Sequence, residues 1–173
     1  MGREIRKVPP NWEHPKNVDG FYCAMYDMDF DTAFKEWCEG YELWKKGEHP
    51  IQKEEGDHDY PYWEWEGGPP DPEYHIPAFT EEPTWIQMYE TVSKGTPVTP
   101  PFETKEELVE YLVENGTFWD ESRVRDGRIK VAGWDRHAAE QFVKNEWAPS
   151  GYMVGGTFYT PRDGFPEPEE TIK

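Results

Sequence analysis

The sequence predicts an α+β fold: three or four helices, a small antiparallel sheet that includes a C-terminal hairpin, and a long irregular acidic loop. Three observations carry this. Aromatic and aliphatic residues recur at three- and four-residue spacing in several stretches that begin at a capping residue or stop at a glycine. Two β-prone runs flank Gly155-Gly156, the signature of a two-residue hairpin. Residues 47–83 hold eleven acidic residues, one lysine and seven prolines, a composition that no continuous helix or central strand tolerates.

The elements follow in order. Residues 1–20 read as an extended arm, basic at Arg3, Arg6 and Lys7 and barred from helix by Pro9-Pro10. Phe21, Tyr22, Met25 and Tyr26 suit a short strand or turn. A helix is expected over about 31–46, with Asp31 as N-cap, Gly47 as stop, and Phe34, Trp37, Cys38, Tyr41 and Trp44 on one face. Gly40 weakens its middle. Within the 47–83 loop, Trp63-Glu64-Trp65-Glu66 alternates as a short strand does, which sets both tryptophans on one side and both glutamates on the other. Residues 85–93 read as a short helix with Trp85, Met88, Tyr89 and Val92 inward. Thr104 and Glu107 form a capping box for a helix over 105–114 that Asn115-Gly116 ends. RIKVAG, 128–133, reads as a strand, and Asp135 caps a helix running to about Glu146. The hairpin of residues 152–160 follows. The whole makes one domain over 1–165, with 166–173 a loose tail.

Composition says what holds such a fold together. Leu, Ile and Val number only 3, 6 and 10, while Trp, Tyr and Phe number 9, 10 and 9, so the core is expected to be aromatic. The formal net charge is −18. A chain this acidic repels a phosphate backbone, which excludes sequence-independent nucleic-acid binding. No apolar run approaches the ~18 residues of a membrane span. The basic start lacks the apolar segment of a secretory signal. Two cysteines, Cys23 and Cys38, make no disulfide framework and read as reduced thiols.

Catalytic and metal motifs are poor. Asp27, Asp29 and Asp31 open a calcium-loop pattern, but Thr32 replaces its required Gly and Cys38 its bidentate Glu. His49, Asp57, His58, Asp59 and His75 lie in or near the acidic loop without metal-ligand spacing, and they read as solvated loop residues. None of the three serines sits in G-x-S-x-G, and Ser93–Pro97 lacks the frame of a phosphate loop. No cofactor, metal or catalytic residue is therefore expected.

Several blocks are distinctive together: GREIRKVPPNWEHP at the start, D-x-A-x-x-E-W-x-x-G at 31–40, QMYETVSKGTPVTPPFETKEELVEYL, and WAPSGYMV. In these the chain resembles a group of small acidic proteins of tailed bacteriophages and prophages. The resemblance implies a viral source and a bacterial cytoplasm as workplace. It carries no activity and no residue role.

Two functions fit. The first is a non-enzymatic inhibitor of a host nucleic-acid-handling or defence protein, of the anti-CRISPR kind. Its carboxylates would stand where DNA phosphates lie in the partner's basic channel. The residues expected to carry it are Glu54, Glu55, Asp57, Asp59, Glu64, Glu66, Asp71 and Glu73, with Trp63 and Trp65 as apolar anchors. The alternative is a nucleotide or small-molecule binder or enzyme, with Arg123, Arg125, Arg128 and Lys130 as its anion site, or else a phage assembly factor.

Overall fold

In the computed structural model the described residues are 2–54, 60–92 and 94–164. The elements are, in chain order, β1 (Gly2–Val8), β2 (Tyr26–Asp29), α1 (Phe30–Lys46), α2 (Pro50–Glu54), α3 (Tyr62–Trp65), β3 (His75–Ile76), β4 (Trp85–Glu90), β5 (Thr96–Pro97), α4 (Lys105–Asn115), α5 (Phe118–Arg125), α6 (Arg136–Asn145), β6 (Trp147–Pro149), β7 (Tyr152–Val154) and β8 (Thr157–Tyr159). Among the described residues, α1, α4, α5 and α6 are the four helices of eight residues or more, and the fold is mixed α+β. These residues form two compact units, one of residues 2–23 with 79–164 and one of residues 24–78.

The first unit is built on an antiparallel sheet of order β5-β4-β1-β6. The residues expected as an arm thus supply a central strand, β1, paired on both edges. Its partner β4 occupies the stretch expected as a helix, and this corrects that expectation. Ile86, Gln87, Met88 and Tyr89 are all buried, so β4 is covered on both faces and shows neither the clean alternation of a half-exposed strand nor true helical periodicity. Alternation then decides what each face does. Ile86 and Met88 join Leu108, Leu112, Phe142 and Val143 in the apolar core under α4 and α6. Gln87 and Tyr89 stand on the opposite face beside Arg6, which β1 pairs directly with Gln87.

The caps read from the sequence place α4 and α6. Thr104 and Glu107 form the reciprocal capping box of α4, and Asp135 accepts from Ala138 N at 3.2 Å to start α6. Helix α5, unforeseen, uses the same device with Asp120 in the Glu position: Thr117 Oγ1 accepts from Asp120 N at 3.3 Å while Asp120 Oδ2 accepts from Thr117 N at 3.0 Å. Residues 128–133 form no strand, which corrects a second expectation. They run as irregular chain to Trp134, whose N–H donates to Leu112 O at 2.9 Å. Gly133 has no alternative here, because a Cβ would lie 2.1 Å from Val113 O. The β7–β8 hairpin forms as expected, its turn made by Gly155 and Gly156 at φ 56° and 84°.

The second unit hangs on α1, whose cap is Asp29 rather than Asp31: its carboxylate accepts from Thr32 N at 3.0 Å and from Thr32 Oγ1 at 2.8 Å. Those two bonds, the backbone one foremost, hold Asp29 below the usual carboxylate pKa. The middle of the calcium-like triplet is therefore a helix cap. A short parallel pair, β2 with β3, accompanies the helix. The 47–83 stretch is more structured than a loop: α2, α3 and a 3₁₀ turn at Pro72–Tyr74 all lie in it. Residues 55–59, Ser93 and the tail beyond 164, which contains the expected 166–173 segment, lie outside the described residues.

Candidate functional site

The candidate partner surface belongs to the 24–78 unit and begins with an aromatic cluster. Trp44 is buried on α1, and Trp37 and Tyr41 lie on the turns before it. Into these rings drops Tyr62, 3% exposed, with centroids 5.4 Å from Trp37, 6.1 Å from Tyr41, 5.6 Å from Trp44 and 5.7 Å from His49. Burial, with Glu66 second, pushes the Tyr62 hydroxyl above its ordinary pKa. Tyr62 is the first residue of α3, and it is what fixes the WEWE segment.

Here the structure corrects a further expectation. Trp63-Glu64-Trp65-Glu66 lies in a helical turn, not a strand. Residues two apart on a helix are separated by about 200°, so the two tryptophans do not share a side. Both are nevertheless exposed, at 51% and 44%. The inward anchor is Tyr62, which sequence reading passed over because the louder tryptophans stood beside it.

The acidic residues lie on the short elements of the same unit. Glu54 ends α2, Glu64 lies in α3 and Glu66 caps it, and Asp71 caps the 3₁₀ turn that contains Glu73, accepting from Glu73 N at 2.9 Å. Glu55, Asp57 and Asp59 lie outside the described residues. Glu48, Glu54, Glu64, Glu66, Asp71 and Glu73 are all exposed, and among the described residues none of them makes an ion pair. Two of the four lysines in this unit are engaged along α1, Lys45 with Glu42 at 2.6 Å and Lys35 with Glu39 at 3.9 Å.

Several carboxylates of the other unit are paired. Glu90 pairs Arg3 at 3.1 Å and accepts from Ser150 Oγ at 2.7 Å; Glu4 pairs Arg6 at 2.7 Å. Glu110 takes both arms of Arg136 at 2.7 Å, and Lys105 meets Glu146 at 2.6 Å. The guanidinium beside it holds Glu110 below its ordinary pKa, as the Lys105 ammonium holds Glu146.

Arg123, Arg125, Arg128 and Lys130, the alternative anion site, are all exposed, and Arg128 is spent on Asp126 at 3.3 Å. They bound neither of the cavities described for this unit.

A second feature escaped the sequence altogether. On the polar face of the sheet, His14 is buried and held by two bonds: Nε2 to Cys23 O at 2.7 Å and Nδ1 to Tyr89 Oη at 3.0 Å. Tyr89 Oη lies 3.0 Å from Gln87 Oε1, and Gln87 Nε2 donates to Thr99 O at 2.7 Å. The Arg6 guanidinium stacks over the Tyr89 ring, 4.4 Å from its centroid. Burial, with help from Arg6, lowers the His14 pKa, against an opposing bond to Cys23 O. A cavity of about 540 Å³ adjoins this network, walled by Trp12, His14, Tyr22, Gln87, Pro100 and Phe118 among others. Only a register that sets Gln87 and Tyr89 on one face brings these groups to His14.

Comparison with protein-family models, with curated proteins and with solved structures finds no match. Among the described residues no group of three or more His, Cys, Asp and Glu is placed to hold a metal ion, and no helix is long and apolar enough to cross a membrane. Cys23 and Cys38 are free thiols. What remains chemically is an anionic surface with aromatic anchors on one unit and a buried polar network beside an aromatic cavity on the other.

Proposed function

We propose that the protein is a phage-encoded, non-enzymatic inhibitor of a host nucleic-acid-handling or defence protein, in which residues 48–73 occupy a basic channel in place of DNA. The observation that carries this reading is a run of unpaired carboxylates beside two exposed tryptophans. Six carboxylates within residues 48–73 are exposed and, among the described residues, without an ion pair, and the same stretch presents Trp63 and Trp65. Exposed charges contribute about 1 kcal/mol or less apiece in water, so they steer encounter and select a basic partner rather than supply most of the affinity. Residence time falls to the exposed Trp63 and Trp65, the residue type that most often anchors an interface. The resemblance to tailed-phage proteins supports the setting.

The test is affinity capture from bacterial lysate at low and high salt, followed by competition with duplex DNA. The expected partner is captured at low salt, released by DNA, and lost when Glu54, Glu64, Glu66, Asp71 and Glu73 become amides. Capture that is indifferent to salt, to DNA and to the amide variant refutes charge mimicry.

A further inference from the structure

Beside the cavity of about 540 Å³ stands a finger of chain whose exposed side chains the fold does not use. Residues 15–23 turn back on themselves as a short hairpin. Lys16 bridges to Tyr22, Cys23 N–H donates to Pro15 O at 3.0 Å, and Asn17 N–H donates to Phe21 O at 2.8 Å. Asn17 also closes the tip, its Oδ1 accepting from Asp19 N and Phe21 N at 3.0 Å each, with Gly20 at φ 82°. These bonds draw on Asn17, Gly20 and the backbone alone. Yet the tip presents Val18, 103% exposed, and Phe21, 70% exposed. A loop already ordered in this way loses little conformational entropy when its apolar side chains dock.

The stem of the same hairpin walls the cavity, through Pro15, Lys16 and Tyr22. The polar side-chain atoms behind that wall are turned away from it or already bonded. Gln87 Oε1 accepts from Tyr89 Oη, Gln87 Nε2 donates to Thr99 O, both nitrogens of His14 have partners, and Trp12 Nε1 is buried. What the cavity offers is ring and proline surface: Trp12, Tyr22 and Phe118, with Pro15, Pro100 and Pro101. A hollow of about 150 Å³ takes a benzene ring, so this one has room for the Phe21 phenyl with Val18 beside it. Phe21 does not fill the cavity of its own chain, since it is exposed and forms no part of the wall. One hairpin thus carries both an apolar knob and an apolar hole.

Charge at the cavity mouth names the occupant. Glu13 and Lys16 are the exposed members of the wall, and neither forms an ion pair among the described residues. Lys16 lies over the Tyr22 ring instead, 4.7 Å from its centroid. One acid and one base at the same mouth make a self-complementary pattern, because a two-fold axis sets Glu13 of each copy against Lys16 of the other. We infer that a second copy of this chain docks here, the two hairpins side by side about a two-fold axis and Phe21 of each copy in the cavity of the other. A contact built on one hairpin per chain is small, so the dimer is expected to form at about micromolar concentration or above. The −18 on each copy opposes it, and added salt strengthens it by screening that repulsion.

Sedimentation velocity on the full chain, from about 5 to about 500 μM at low and at high salt, reads the mass directly. The expected result is a monomer of 20.4 kDa that passes to a dimer as concentration and salt rise. Burying one phenylalanine side chain is worth about tenfold or more in affinity, so Phe21→Ser, which deletes both knobs, should weaken the dimer about a hundredfold. Glu13→Lys and Lys16→Glu should each weaken it as well, because each sets like charges face to face, and an equimolar mixture of the two variants should associate again. All three residues are exposed, so the fold does not rest on them. A parent chain that stays monomeric throughout overturns the inference. So do a dimer that Phe21→Ser leaves intact, a mixture that associates no better than its components, and species larger than a dimer, which an open head-to-tail contact would give.

Discussion

Replacing Gly40 by alanine sets two effects of opposite sign against each other. Gly40 lies in the interior of α1, where alanine is favoured over glycine by about 1 kcal/mol. Against this, a Cβ at Gly40 would lie 2.1 Å from Tyr62 Oη and 2.9 Å from Cζ. The hydroxyl would have to withdraw by more than about 1 Å to reach van der Waals contact. It has nowhere to go, since Trp37, Tyr41, Trp44 and His49 hold the ring from other directions. Overpacking of this kind costs about 1–3 kcal/mol, and expelling the ring altogether costs about 3–5 kcal/mol. The steric term wins, and Gly40→Ala is expected to destabilise the 24–78 unit by about 1–2 kcal/mol or more. Urea unfolding followed by tryptophan fluorescence reads this as a lower midpoint. Tyr62→Phe in the same chain removes the nearest atom and should recover part of the loss, a coupling of at least about 0.5 kcal/mol. Because Tyr62 fixes the turn bearing Trp63 and Trp65, the single variant should also weaken partner capture. A Gly40→Ala protein with a raised midpoint would mean that Tyr62 does not pack against α1, and the support for the proposed surface would go with it.

Two further perturbations test the other unit. Asp120 is buried, and its Oδ2 accepts from Thr117 N, Thr117 Oγ1 and Trp134 Nε1 at 3.0, 2.8 and 2.9 Å. Asp120→Ala strands the indole N–H and should cost about 3 kcal/mol in urea unfolding, whereas Asp120→Asn, which keeps an oxygen, should cost distinctly less; equal losses would show that acceptance is not what matters there. His14, with its pKa lowered in the folded chain, takes up its proton more readily when unfolded, so native stability is expected to fall as pH drops through about 6.5 toward the lower folded value. Subtracting the pH profile of His14→Gln from that of the parent isolates this contribution, and parallel profiles would contradict it.

How far the fold was legible depended on whether the determining interaction was local. Helices α4 and α6 and the hairpin announce themselves because Thr104 with Glu107, Asp135, and Gly155-Gly156 act within a few residues of themselves. Helix α5 is equally local but puts Asp120 where a capping box usually has Glu or Gln, and its short apolar content hid it. Strands β1 and β4 could not be read in the same way. Their character is set by pairing across more than eighty residues, as in Arg3 with Glu90, and β4 is buried on both faces, so its apolar run has no preferred period. The same holds for the sites. The acidic segment is visible from composition, but that Tyr62 rather than a tryptophan anchors it follows from the missing side chain at Gly40. His14 stands 75 residues from its partner Tyr89, and no spacing rule connects them.

A chain carrying −18 must also avoid being unfolded by its own charge, and the two units meet this by different means. Residues 2–23 and 79–164 pair several of their carboxylates with arginine and lysine, both within the sheet and between helices α4 and α6. The 24–78 unit has 15 acidic residues against four lysines and no arginine, so pairing cannot balance it. Its cohesion comes from rings, in which Trp44 and Tyr62 are buried and Trp37, Tyr41 and His49 surround them. Contacts of that kind survive salt, whereas repulsion among exposed carboxylates is screened by it. Rising ionic strength should therefore leave the folding of this unit unchanged or strengthen it while weakening its capture by a basic partner. The opposite signs separate the two roles of the charge: stability and binding that fell together with salt would mean that the carboxylates of 48–73 hold the unit together, and they would then not be available as a surface for anything else.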